Sequence, residues 1–251
     1  MDTTQVTDVT WEKYAAVLFD LDGVVTPTAV VHMRAWAEMF NAFLQEKAPD
    51  AAPYTDEDYF AHVDGKPRYD GVRDFLASRG ITLPEGTPAD PPTAETVCGL
   101  GNRKNDAFNA VLARDGVEAY PGSVQFLDYL ATLGTPLAVV SSSVNAPSVL
   151  ESAGLLDRFG VVVSGAVAAE HNLPGKPRPD TFLFAAVELG AAAADAVVLE
   201  DAVSGVKAGA AGAFGLVVGV DRGAGHDALA EAGADLVVSD LAELVPQGGT
   251  Q

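Results

Sequence analysis

The chain is poor in cysteine and in positive charge. Cys98 is the single cysteine among 251 residues, so neither an internal disulfide nor a cysteine-built zinc cluster can form. That is in keeping with a reducing compartment. Fifteen Lys and Arg face 35 Asp and Glu, for a formal net charge of −20. Such a surface repels nucleic acid and anionic lipid, and both are set aside as partners. No run reaches the ~18–20 apolar residues of a membrane span. The first fourteen residues carry Asp2, Asp8 and Glu12 and lack the apolar centre of a secretory signal. The expectation is a soluble, cytoplasmic, monomeric protein that meets no membrane. An anionic substrate is also repelled at long range, so a site for one must gather the few cations or hold a metal ion.

With 48% hydrophobic and 20% charged residues, the chain has the material for one large domain or two smaller ones. Six short apolar runs rich in β-formers stand out: Ala15–Asp20, Pro136–Ser142, Val161–Ser164, Ala196–Glu200, Gly215–Val220 and Asp235–Ser239. Most are apolar throughout, as strands buried on both faces of a parallel sheet are. Helical stretches fall between the later runs, at Pro147–Ala153, Pro179–Leu189, Val203–Ala211 and Asp227–Ala232. Gly154, Gly190, Gly212 and Gly233 follow them at C-cap positions. The alternation predicts an α/β domain with a doubly wound parallel sheet. More than a hundred residues without a strand separate the first run from the second. Within them Thr28–Gln45, Asp70–Ser78 and Thr93–Arg114 read as helices, punctuated by prolines. The division expected is a core of residues 1–26 and 119–251 and a helical insert of residues 27–118, with Pro121-Gly122 marking the return.

Phe19-Asp20-Leu21-Asp22-Gly23 leaves the first strand at its carboxyl end, where open α/β sheets bind ligands. Two carboxylates so spaced can share one crevice, although an Asp-x-Asp-Gly taken alone reads equally as an acidic turn. Ser141-Ser142-Ser143 ends the second strand, where hydroxyls and backbone N–H groups can hold phosphate oxygens. Lys176 opens a helix from a Gly/Pro loop, suited to pairing with developing charge. Glu200-Asp201 ends another strand and, with Asp20, makes an oxygen-rich site for Mg²⁺. Each segment is weak alone; together, in this order and all at strand carboxyl ends, they form one pattern.

That pattern resembles the haloacid dehalogenase superfamily of phosphotransferases over nearly the whole chain. The resemblance implies a Rossmann-like core with a helical C1 cap. It makes Asp20 the nucleophile and Asp22 the general acid/base, with Ser141, Ser142 and Lys176 binding phosphate. Asp20, Asp22, Glu200 and Asp201 would hold Mg²⁺. A proton for the leaving alkoxide asks that the Asp22 pKa be raised, and an alkoxide-serving acid argues against dehalogenation. His32 and Trp36 on the first insert helix, and Val63-Asp64-Gly65-Lys66-Pro67-Arg68, resemble the β-phosphoglucomutase-like branch. This implies a small-molecule sugar phosphate as substrate, with Arg68 on its distal phosphate and Gly65, Lys66 and Asn145 nearby. Gly101-Asn102-Arg103-Lys104-Asn105 lies where that branch has a basic segment; Arg68 and Lys104 read either as phosphate ligands or as solvated charges.

Two positions depart from the branch: Pro27 stands in place of an Asp, and Val144 in place of a Lys beside the serines. Both leave a plain sugar phosphatase open as the alternative. A third reading, a phosphate- and Mg²⁺-binding module without turnover, is separated by assay. Nucleotide-binding motifs are not met, since Gly99-Leu100-Gly101 lacks a third Gly and Gly175-Lys176 lacks the rest of a P-loop.

Overall fold

The computed structural model describes residues 9–246. Strand β1 (Ala16–Phe19) is followed by helices α1 (Thr28–Lys47), α2 (Asp56–Asp58), α3 (Arg68–Ser78), α4 (Val97–Asp115) and α5 (Pro121–Leu133). The remaining elements are β2 (Leu137–Val140), α6 (Ala146–Ser152), β3 (Val161–Val163), α7 (Gly165–Glu170), α8 (Asp180–Glu188), β4 (Ala196–Glu200), α9 (Val203–Ala211), β5 (Leu216–Val220), α10 (His226–Ala232) and β6 (Leu236–Val238). All six strands pair in parallel, in the order β3-β2-β1-β4-β5-β6. The order reverses at β1, which therefore stands at the switch point of a doubly wound sheet.

The apolar runs become strands buried on both faces. Val17 and Phe19 enter one cluster with Phe126, Leu127 and Val149, while Ala16 and Leu18 enter another with Phe182, Ala185 and Val206. This is the two-residue alternation of a strand with helices on either side. Register fixes the site. Phe19 lies opposite both Val139 and Leu199, so the residues after β1, β2 and β4 leave the sheet at one edge.

Helices α1, α3 and α4 build a third apolar cluster around Trp36, Phe40, Phe75 and Leu100. Helix α4 starts at Val97, not Thr93, because the Thr96 side chain accepts from the Gly99 N–H and caps it. Three helical segments were not foreseen: Asp56–Val63, in which α2 runs into a π-helical turn, then α5 and α7. Gly212 follows α9 in right-handed geometry, unlike Gly154, Gly190 and Gly233, which take positive φ. Among the described residues no helix is long and apolar enough to cross a membrane.

Candidate active site

Asp20 follows β1 directly, and its N–H donates to the Leu199 carbonyl at 2.9 Å. Its carboxylate Oδ1 accepts from Lys176 Nζ at 2.5 Å. The same ammonium donates to Glu200 Oε1 at 2.6 Å and to the Val140 carbonyl at 3.1 Å. All three Lys176 donors are thus used, inside a site where that side chain is about 1% exposed. Burial alone would lower the Lys176 pKa, but Asp20 and Glu200 raise it above the ordinary lysine value. Burial drives the Asp20 carboxyl well up; Lys176 pulls it back, and Glu200 and Asp22 push it further.

Glu200, expected among the metal ligands, is fully buried and already engaged. Oε1 meets Lys176 and Oε2 accepts the Ala202 N–H at 2.8 Å. Its geometry makes it the counter-ion that holds Lys176. Asp201 instead faces the cavity, packed against Gly23, whose φ of +89° and missing side chain let it approach; a Cβ there would stand 1.8 Å from Asp201 Oδ2. Burial, then Asp64, Glu200, Asp20 and Asp22, push the Asp201 carboxyl well up.

Asp22 is held differently. Thr28 Oγ1 donates to Oδ1, and Ser141 Oγ lies 3.3 Å from Oδ2. His32 Nε2 stands 3.3 Å from Oδ1, within reach of charge attraction but off the line of a hydrogen bond. Burial pushes the Asp22 carboxyl up, but His32, Thr28 and Lys104 outweigh it and bring it to about 2. These contacts favour the ionised form of Asp22, where a general acid needs a raised pKa.

Lys104, left open by the sequence, is 5% exposed and not a solvated charge. Its Nζ meets His32 Nδ1 and lies 5.0 Å from the centre of the Trp36 ring. An ammonium only donates, so Nδ1 is the acceptor and the imidazole proton sits on Nε2, toward Asp22. Burial lowers the Lys104 pKa to about 7, and burial with Lys104 lowers that of His32. His32 also stacks on Phe108, centroids 4.0 Å apart.

The cavity bounded by these groups measures about 70 Å³, room for roughly two waters. Its walls include Asp20, Asp22, His32, Trp36, Gly65, Lys66, Arg68, Ser142, Glu200 and Asp201. Three expected site residues lie outside this lining. Lys176 is behind Asp20, Ser141 is turned to Asp22, and Asn145 donates to Asn105 Oδ1 at 2.8 Å. Lys66 pairs with Asp74 at 2.7 Å. Among the described residues Arg68 pairs with no carboxylate and lies against Tyr69. Asp64 was quoted in a motif but not singled out, and it lines the cavity too; burial, then Glu200, push its carboxyl up to about 7.

Mg²⁺ fits this donor set. Asp20, Asp22, Asp64 and Asp201 offer only hard oxygens, and the crowding of carboxyls that pushes Asp64 and Asp201 up is what a divalent cation would relieve. Among the described residues no three His, Cys, Asp or Glu side chains form a ready cage. That suits an ion bound through one or two carboxylates, water and substrate phosphate.

Two core hydroxyls grip the insert: Ser142 Oγ donates to the Gly65 carbonyl at 2.8 Å and Ser204 Oγ to the Asp64 carbonyl at 3.0 Å. Gly65, at φ +69°, sits where a Cβ would lie 2.2 Å from Ser204 Oγ. Removing both hydroxyls (Ser142→Ala with Ser204→Ala) is expected to loosen the insert by about 1–3 kcal/mol. The signs are a higher KM for sugar phosphate and faster hydrogen exchange at Asp64–Lys66. An unchanged exchange rate there would show that the two contacts hold nothing.

The chain matches the haloacid dehalogenase-like hydrolase family over residues 14–212. It is 49% identical to a β-phosphoglucomutase of Mycobacterium tuberculosis across 93% of this chain and 92% of that protein. It is 33% identical to a β-phosphoglucomutase of Bacillus subtilis, covering 91% of each. The fold is shared with the crystal structure of a Clostridium difficile β-phosphoglucomutase, at a TM-score of 0.74 and 22% identity, covering 92% of this chain and 93% of that one. An Asp-x-Asp loop at the switch point, a buried Lys on its first carboxylate, and these likenesses lead to one conclusion: the chain is an enzyme of the haloacid dehalogenase-like hydrolase family.

Proposed function

We propose that this enzyme moves a phosphoryl group between two positions of a hexose phosphate, converting β-glucose 1-phosphate to glucose 6-phosphate through phosphorylated Asp20. The observation that carries the reading is the Asp20–Lys176–Glu200 arrangement in a chain 49% identical to a curated β-phosphoglucomutase.

Residues 27–118 act as a cap over a core formed by residues 1–26 and 119–251. The cavity is walled by residues of both the cap and the core, so the cap must lift to load substrate. Lys176 engages Asp20 Oδ1, which leaves Oδ2 to attack phosphorus. The new O–P bond forms as the bond to the sugar oxygen breaks. Mg²⁺, when bound by Asp20 and Asp201 with help from Asp22, offsets the repulsion between carboxylate and phosphate. Asp22 serves the sugar oxygen. In its ionised form it takes the proton of an incoming hydroxyl, and once protonated it returns one to a leaving alkoxide. The Lys104–His32 pair orients toward Asp22 and sets its charge. Arg68, whose guanidinium can hold phosphate as a fork, takes the distal phosphate, and Ser142 and Trp36 border the sugar.

Val144, 37% exposed beside the serines, supplies no cation for that distal phosphate, and this favours one second reading, a sugar phosphatase on the same scaffold. Both readings share Asp22, and its replacement by Asn tests the shared chemistry. Turnover of a sugar phosphate is expected to fall by roughly 10²–10⁴-fold, with phosphate binding kept. p-Nitrophenyl phosphate, whose leaving group needs no proton, should lose much less. Equal losses on both substrates would remove Asp22 from proton transfer.

A further inference from the structure

The segment that follows Asp20 and Asp22 is tied down from two sides. From the start of α5, Ser123 Oγ donates to the Val24 carbonyl at 2.6 Å and the Tyr120 N–H to the Val25 carbonyl at 3.0 Å. From the other side comes Arg222, two residues past the end of β5. Its Nε donates to the Gly23 carbonyl at 3.1 Å. Its other two nitrogens donate to the Ser239 carbonyl at 2.9 Å and to Asp240 Oδ2 at 3.1 Å, beyond the end of β6. The guanidinium lies on the Tyr120 ring, 4.0 Å from its centre. The loop it springs from is braced in turn, since the N–H groups of Gly223 and Gly225 both donate to Asp221 Oδ1 at 3.0 Å.

This clamp spans the edge where the acids gather. Strand β4 lies between β1 and β5, so a bond from the β5 loop to Gly23 bridges the end of β4, where Asp201 stands. Gly23 is also the residue that Asp201 packs against, with no space between them even for a Cβ. It follows Asp22 directly in the chain. The group that holds the Gly23 carbonyl therefore sets the gap between the Asp20–Asp22 segment and Asp201. A guanidinium suits that task, because its planar fork meets acceptors on two separate segments at once while its face rests on Tyr120; the compact head of a lysine does not. Arg222 stands outside the lining of the cavity at Asp20, so it acts on the site only through Gly23.

We propose that Arg222 is a positioning residue of this enzyme: it straps the Asp20–Asp22–Gly23 loop across the end of β4 and so fixes the opening between that loop and Asp201 in which a divalent cation binds. The proposal rests on the reading that Asp20 and Asp201 hold the metal. It adds a residue from outside the cavity that prepares their geometry, so that the ligands need not be ordered at the moment of binding.

Counting free Mn²⁺ by electron paramagnetic resonance, with no substrate present, reads metal affinity without turnover in wild type, Arg222→Ala and Arg222→Lys. Both variants should bind Mn²⁺ about tenfold more weakly, the scale of loss when an outer residue no longer orients metal ligands. With sugar phosphate and saturating Mg²⁺, kcat should fall about tenfold while KM stays within about twofold. A clamp that served stability alone would lower the thermal midpoint and leave Mn²⁺ affinity as it is, and that result overturns the proposal. Arg222→Lys keeps the charge and is the milder change, so it carries the test if Arg222→Ala does not fold. An Arg222→Lys protein with wild-type affinity also overturns the proposal, since charge without the fork would then suffice. A wild-type protein that binds no Mn²⁺ removes the metal reading and the proposal together. One that binds Mn²⁺ but turns over no sugar phosphate removes the mutase reading alone, and the affinities still decide the role of Arg222.

Discussion

Replacing Asp20 by Asn is expected to abolish phosphoryl transfer, by at least about 10⁴-fold in kcat, while the protein stays folded. The argument is geometric. Asp20 is the one carboxylate at the sheet edge with an oxygen fixed by Lys176 at 2.5 Å and main-chain N–H held by Leu199 at 2.9 Å. An amide in its place keeps the volume and still accepts from Lys176, but it cannot attack phosphorus. Burial and its acidic neighbours raise the Asp20 pKa, so the neutral amide also relieves charge repulsion. The variant should therefore unfold at the same temperature as wild type or higher. Trapping a labelled phosphoryl group on the wild-type protein, and none on the variant, is the direct check. Residual labelling of the variant would move the nucleophile elsewhere.

Lys176→Met is expected to cost both stability and activity. The ammonium sits between two buried carboxylates, at 2.5 Å from Asp20 and 2.6 Å from Glu200. Removing one partner of a buried ion group leaves charge uncompensated, which costs about 3–5 kcal/mol. For a chain of this length that is a fall of roughly 10 °C in the unfolding midpoint. The pair raises Lys176 above its ordinary value. Its stabilisation is thus fully present below the unfolded lysine pKa of about 10.4 and is lost only as pH climbs through the higher folded value. The part of the difference in midpoint that comes from the titration of Lys176 itself should accordingly be flat from pH 6 to 9. A paired Glu200→Gln change should recover part of the loss, because it removes the second orphaned charge. A Lys176→Met protein as stable as wild type would contradict the role of Glu200 as its counter-ion.

Much of the fold was legible because the strands lie in the sheet interior. Runs such as Val17–Phe19 and Val197–Leu199 meet helices on both sides, so they are apolar at every position and stand out from the helices between them. The placing of the candidate site was legible for a related reason. Its residues follow those runs directly, and parallel register gathers the ends of β1, β2 and β4 at one edge. Helix α5 escaped because Pro121-Gly122 marks the return to the core without a helix being assigned there, whereas a proline at the first helical position starts a helix. The charge states escaped because they belong to contacts between distant residues: Asp22 is set by Thr28, His32 and Lys104, and Glu200 by Lys176 and the Ala202 N–H. The burial of Lys104 did leave a trace in the sequence. It falls on the α4 stripe of Val97, Leu100, Gly101 and Phe108, at spacings of three and four, where a solvated lysine has no place.

The central claim is that phosphate moves from one hexose oxygen to another instead of to water. Supplying β-glucose 1-phosphate with Mg²⁺ and a trace of glucose 1,6-bisphosphate, and following all products by phosphorus NMR, tests it directly. The account predicts glucose 6-phosphate as the main product, formed faster when the bisphosphate is present to phosphorylate Asp20. Glucose and inorganic phosphate alone, with or without the bisphosphate, would contradict it.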